Sequence, residues 1–109
     1  MKRDDKVYVR HALDAALKIR EFTDHVDRMA FDRDEKLALA VIRLLEVIGE
    51  AANGLSQEFR DSNGKIPWSK MIAMRNRLIH GYFDINYDIV WRTVKKDIPV
   101  VIHLLEEIS

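Results

Sequence analysis

The stretch that decides the fold is LALAVIRLLEVIGEAANGL, residues 37–55. Its apolar residues recur every three or four positions, which is the spacing of an amphipathic helix. Asp32 or Asp34 precedes the stretch and suits the N-cap position. Two adjacent stripes make an unusually wide apolar face, so we predict a central bundle helix, with contact to a second subunit as an alternative. The stripes are Leu37, Val41, Leu44, Ile48, Ala51, Leu55 and Ala38, Ile42, Leu45, Gly49, Ala52.

Two further helical segments flank this central helix. The first runs from about Asp5 to Phe22, and the polar connection TDHVDRMAFDRD follows it, with room for one helical turn. After the turn DSNGKIP, another segment begins at Pro67, where a missing N–H costs nothing at the first helical position. It ends near His80, with Gly81 as the stop.

A last segment begins near Asn86, a good helix cap. Its apolar register continues across Pro99, so we expect a kink or short break there. Four amphipathic helices with short connections predict one all-α antiparallel bundle over residues 1–109.

Composition excludes several classes of protein. The 109 residues contain no cysteine, so disulfides and thiolate metal sites are impossible. The start of the chain has no apolar signal region, and no apolar run is long enough to span a bilayer, so we expect a cytoplasmic protein with no membrane contact. The four histidines show no metal-ligand spacing, and no glycine-rich phosphate loop is present, so we expect neither metal nor cofactor.

Charge is balanced overall but uneven along the chain. The formal net charge is zero, yet the segment from 65 to 96 contains seven basic residues and only two acidic ones, Asp84 and Asp88. Either this segment is a solvated helix face, or it is a local patch that attracts phosphate. The basic residues are Lys65, Lys70, Arg75, Arg77, Arg92, Lys95 and Lys96.

The helix from Pro67 breaks its own apolar pattern. Arg75 and Tyr82 occupy positions in the stripe that begins with Trp68 and Ile72. An arginine within an apolar stripe is costly unless it is paired or reaches water, whereas tyrosine can bury its ring and expose its hydroxyl. Such exceptions to a pattern indicate function or strain.

His80 and Asn76 add polar chemistry to the same helix end. His80 lies about 140° around the helix from Arg75, whereas Asn76 shares its face and is expected to orient the imidazole by a hydrogen bond. Arg77 is predicted to be a surface charge. The purely structural alternative is a salt bridge from Arg75 to Glu46 or Glu50, with His80 stabilising the helix end.

The string Arg75-Asn76-(three residues)-His80-Gly81-Tyr82 resembles the Arg-x4-His-x-Tyr motif of the HepT-like proteins, a branch of the HEPN superfamily. The resemblance covers nearly the whole chain; only residues 23–35 show no specific similarity to the family. It implies a four- to five-helix HEPN-type bundle that forms a homodimer, with the motifs of both subunits lining a shared cleft.

The resemblance also implies a function, that of a metal-independent ribonuclease toxin in a toxin–antitoxin pair. An MNT-type nucleotidyltransferase would be the antitoxin and would transfer AMP to Tyr82. On this interpretation His80 is the general base or acid, Arg75 binds the scissile phosphate of RNA, and Asn76 is a positioning residue. The alternative is a non-catalytic nucleotide- or substrate-binding subunit of the nucleotidyltransferase.

Overall fold

The computed structural model describes residues 4–109 and contains only helices and turns within them. A π-helical turn, Thr93–Asp97, joins the last two helices into one continuous helical segment. The predicted all-α bundle and its four long segments are therefore confirmed. The helices are α1 (Asp5–Phe22), α2 (Arg28–Arg33), α3 (Glu35–Gly54), α4 (Gln57–Ser62), α5 (Trp68–His80), α6 (Tyr87–Arg92) and α7 (Ile98–Ile108).

Polar side chains cap the helices where the sequence predicted them. Asp34 accepts a hydrogen bond from the Leu37 N–H at 3.0 Å and begins α3. Asn86 caps α6 in the same way. Pro67 was predicted to be the first residue of α5, but it is the N-cap. Its carbonyl accepts the first hydrogen bond of the helix, from the Met71 N–H at 3.1 Å. Its missing N–H is harmless in either position.

Two short helices lie in the connections. In α2, Phe31 is buried and its ring packs against Trp91 with centroids 5.0 Å apart, which anchors the polar connection to α6. The helix α4 was not predicted, because six residues are too few to show a helical period. Its N-cap Ser56 donates from its backbone N–H and hydroxyl to the Asp5 carboxylate, both at 2.8 Å.

The long helices pack antiparallel around one apolar core. The end of α3 meets the start of α1, where Tyr8 lies against Gly54. The start of α5 is joined to the π turn by the Lys70–Asp97 ion pair at 3.2 Å, and its end lies beside α6. The largest fully buried side chains are Phe31, Ile19, Leu78, Ile102, Leu105, Val41 and Val90.

The break expected at Pro99 takes the form of the π turn just before it. A π turn widens the helix locally, which accommodates a residue that has no N–H to donate. The apolar register survives, because Ile98, Val101 and Leu105 all remain buried. Between residues 4 and 109, no helix is both long and apolar enough to cross a membrane.

Candidate active site at the end of helix α5

Arg75 lies where α5 crosses α3 at very close range. A Cβ added to Gly49 of α3 would overlap the Cβ of Arg75 and would lie 2.7 Å from the Met71 carbonyl oxygen. The two backbones approach this closely only because position 49 has no side chain. The contact fixes the base of the Arg75 side chain, which is 27% exposed.

The guanidinium of Arg75 is held loosely rather than neutralised. Its Nη1 donates to the Asn76 Oδ1 at 2.9 Å, and its Nη2 lies 3.8 Å from the Glu50 Oε1, beyond hydrogen-bond range. Its Nε is buried and has no hydrogen-bond partner among residues 4–109. The structural alternative is thus present only as a long ion pair to a half-exposed Glu50, while Glu46 pairs with Arg43 instead.

His80 is the last residue of α5 and is exposed to solvent. The part of the chain from residue 4 onward offers it no hydrogen-bond or salt-bridge partner. The expected hydrogen bond between Asn76 and the imidazole is absent, and the Asn76 oxygen accepts from Arg75. A charged guanidinium is a strong donor to an amide oxygen.

A tight turn follows α5 and presents two aromatic rings to solvent. The Gly81 N–H donates to the Arg77 carbonyl at 2.9 Å, and the Asp84 N–H donates to the Gly81 carbonyl at 3.0 Å. Tyr82 is 74% exposed and Phe83 is 81% exposed. The expectation that Tyr82 buries its ring was wrong, because α5 ends at His80 and the turn carries the ring off the apolar stripe.

The structure brings the predicted site residues together only in part. Arg75 and Asn76 are in direct contact, while His80 and Tyr82 lie exposed at the end of the helix. Because Arg75 and His80 are separated by about 140° around α5, they project from different sides of the helix within one chain. A shared cleft between two copies stays a prediction.

Arg77 is exposed to solvent, which confirms the predicted surface charge. It lies three residues before His80, a spacing that places both side chains on the same face of a helix. It also lines a groove between α5 and α6, together with Leu78, Gly81 and Ile85. The three-residue spacing was visible in the sequence, but the groove depends on how α6 packs.

Metal binding by histidine and carboxylate side chains requires several of them to lie close together. Within residues 4–109, no group of three or more histidines, aspartates and glutamates is placed to hold a metal ion. The polar chemistry at the end of α5 is therefore that of a guanidinium, a carboxamide, an imidazole and a phenol.

Comparison with known proteins matches most of the chain to one family. The family model described as "Ribonuclease HepT-like" matches residues 12–108, a range that includes every residue of the candidate site. The chain belongs to the HepT-like ribonuclease family. The resemblance carried by Arg75, His80 and Tyr82 is thus confirmed at the level of the family.

Curated relatives agree with the HepT-like assignment over nearly their full length. The chain is 40% identical over 100 residues to "Putative RNase MJ1380" of Methanocaldococcus jannaschii, covering 92% of each chain. It is 42% identical over 99 residues to "Probable ribonuclease HepT" of Thermococcus cleftensis, covering 91% of this chain and 90% of the relative. A third relative is "Putative RNase TTE0752" of Caldanaerobacter subterraneus, 39% identical over 101 residues, covering 93% of this chain and 90% of the relative. No solved structure matches the chain significantly.

Proposed function

We propose that this HepT-like chain is a metal-independent endoribonuclease, and that it acts as the toxin of a toxin–antitoxin pair. The names of its relatives support RNA as the substrate. The observation that carries the proposal is an unpartnered, exposed His80 at the end of the helix that also holds a half-buried, incompletely neutralised Arg75. A half-buried arginine with a purely structural role would have its buried nitrogens satisfied within the fold, whereas the Arg75 Nε has no hydrogen-bond partner among residues 4–109.

The proposed reaction uses the RNA's own 2′-hydroxyl as the nucleophile. A base removes the 2′-hydroxyl proton, and the 2′-oxygen forms a bond to phosphorus while the bond from phosphorus to the 5′-oxygen breaks. An acid protonates that departing oxygen. The products are a 2′,3′-cyclic phosphate and a 5′-hydroxyl, and neither water nor a metal ion is consumed.

The side chains fit the steps of this reaction. His80 is the base or acid, since imidazole is the side chain whose ordinary pKa range lies closest to neutrality. Arg75 binds the phosphate and stabilises the charge that develops on its oxygens in the transition state. Asn76 holds the guanidinium through the 2.9 Å hydrogen bond and thereby sets its direction.

A homodimer would complete the proposed site. One chain offers one such imidazole, and the reaction needs one group to take a proton and another to give one. In a dimer with the ends of both α5 helices facing a common cleft, the two His80 side chains divide these tasks. The cleft would also bring an Arg75 from one copy toward the His80 of the other.

Control of the toxin is proposed to act at Tyr82. Its 74% exposed side chain is accessible to a nucleotidyltransferase of the MNT type. The phenol oxygen would attack the α-phosphorus of ATP, lose its proton and release pyrophosphate, leaving AMP on Tyr82. That anion, two residues from His80, would compete with RNA for Arg75. Because the proposed reactions use RNA and ATP, we propose that the system acts in the cytoplasm.

RNA cleavage in the presence of a chelator tests the proposal. The purified protein is incubated with single-stranded RNA and EDTA, and the ends of the fragments are analysed. We expect fragments with 2′,3′-cyclic phosphate and 5′-hydroxyl ends at an undiminished rate. A strict requirement for a divalent cation would contradict the mechanism. Binding of RNA or nucleotide without cleavage would favour the alternative, a binding subunit of the nucleotidyltransferase.

A further inference from the structure

Phe83 is the most exposed of the large hydrophobic side chains within residues 4–109, at 81%. It lies three residues after His80 and does not pack on the core. Its one ring contact is an edge-to-face contact with Tyr82, with centroids 5.6 Å apart and planes at 87°. Such a contact uses at most one face of the phenyl ring, so the other face is open to solvent.

The backbone that carries this ring is ordered by hydrogen bonds. The Gly81 N–H continues the ladder of α5, and the Asp84 N–H closes the turn onto the Gly81 carbonyl. Phe83 is therefore displayed from a fixed turn at the end of a rigid helix. An exposed phenyl on a fixed turn offers an apolar ring face to a ligand.

Arg77 supplies positive charge beside the same turn. Its backbone carbonyl accepts the Gly81 hydrogen bond, and its side chain is exposed and forms no ion pair within residues 4–109. It shares a helix face with His80 and lines the same groove as Gly81 and Asp84. A guanidinium without an ion pair and an exposed aromatic ring are the two kinds of side chain that bind a nucleotide of a single strand.

We propose that Arg77 and Phe83 form a nucleotide subsite for single-stranded RNA next to His80. This inference rests on the proposed function and deepens it. An unpaired base stacks on the open face of Phe83, and a backbone phosphate binds Arg77. Both are positioning residues that hold the strand, while the reaction itself stays with His80 and Arg75. The subsite discriminates against duplex RNA, because a paired base has both faces stacked within the helix.

Binding of an uncleavable RNA measures the subsite without any reaction. A fully 2′-O-methylated single strand lacks the nucleophile, so its Kd reports on binding alone. We expect Phe83→Ala and Phe83→Leu to raise this Kd roughly ten- to hundredfold, the loss expected for one stacked base. Phe83→Trp restores an aromatic face and is expected to bind like the original protein. The matched control is Val100→Ala, which shortens an exposed apolar side chain on α7.

Salt dependence identifies the role of Arg77. Removing one phosphate contact to a single strand lowers the slope of log Kd against log salt by about 0.7. We expect that change for Arg77→Ala. The control is Lys65→Ala, which removes one exposed charge just before the start of the 13-residue α5 and should leave the slope unchanged. With cleavable RNA, both Arg77→Ala and Phe83→Ala should raise KM, with kcat within about twofold.

Two results would overturn the subsite. One is an unchanged Kd for Phe83→Ala and Phe83→Leu. The other is a dimer that dissociates in Phe83→Ala, measured by sedimentation, which would make Phe83 an interface residue. Failure of the proposed function looks different: the original protein would bind the 2′-O-methylated strand in a Phe83-dependent way but would not cleave the unmodified strand.

Discussion

Gly49 and Arg75 are in such close contact that the Cβ of an alanine at position 49 would overlap the Cβ of Arg75. The crossing of α3 over α5 therefore fixes the arginine on which the proposed reaction depends. Neither backbone can give way cheaply, since the Met71 carbonyl oxygen lies 2.7 Å from the same point.

We expect Gly49→Ala to destabilise the protein. The overpacking costs about 1–3 kcal/mol, and the better helix propensity of alanine returns at most about 1 kcal/mol. Urea unfolding measures the difference. Gly64→Ala is the control, because its Cβ would meet only the Asp61 carbonyl at 3.7 Å, an ordinary contact. Equal stabilities for both variants would show that α3 and α5 do not pack this closely.

Glu50→Gln should strengthen RNA binding. The Glu50 carboxylate lies 3.8 Å from Arg75 and screens part of its positive charge. Because the pair is partly exposed, its interaction energy is below about 1 kcal/mol, so we expect Kd for RNA to fall about two- to fivefold at low salt. The matched control is Glu46→Gln, whose carboxylate pairs with Arg43. An equal gain in both variants would point to net charge rather than to Arg75.

Asn76→Ala should lower kcat/KM for RNA cleavage about tenfold with little change in stability. The carboxamide accepts the 2.9 Å hydrogen bond from Nη1, so its removal leaves the guanidinium without a fixed direction. Asn53→Ala removes an exposed asparagine from the last turn of α3 and serves as control. Activity unchanged in Asn76→Ala would remove the positioning role from Asn76.

Tyr82→Phe should stay toxic when the nucleotidyltransferase partner is co-expressed. The substitution removes the phenol oxygen that would accept AMP and keeps an exposed ring in the same turn. Cell growth, together with the mass of the purified protein, measures the outcome. Neutralisation of Tyr82→Phe by the partner, or AMP found at another residue, would show that Tyr82 is not the control point.

Long periodic segments were predictable from the sequence, whereas contacts between elements were not. The bounds of α1, the caps Asp34 and Asn86 and the break before Pro99 follow from spacing and local hydrogen bonding. The helix α4 was not predicted because six residues show no clear period and because one of its supports is the Asp5 carboxylate, 51 residues away.

Side-chain partners at the site depended on tertiary packing in the same way. The close approach of Gly49 decides where Arg75 lies, and the end of α5 at His80 decides that Tyr82 and Phe83 are exposed. The sequence placed Arg75, Asn76, His80 and Tyr82 on one helix end. It assigned the Asn76 hydrogen bond to His80 rather than to Arg75, because side-chain partners depend on the positions that the fold sets.

The most direct test of the central claim compares His80→Ala with His103→Ala. His103 is an exposed histidine on α7, 76% accessible and paired with Glu107, so its replacement controls for the loss of a surface imidazole. Cleavage of single-stranded RNA in EDTA is measured for both variants, and circular dichroism and sedimentation report fold and assembly. The account predicts that His80→Ala loses at least about a hundredfold in rate while remaining folded, and that His103→Ala cleaves normally. Undiminished cleavage by a folded His80→Ala protein would contradict it.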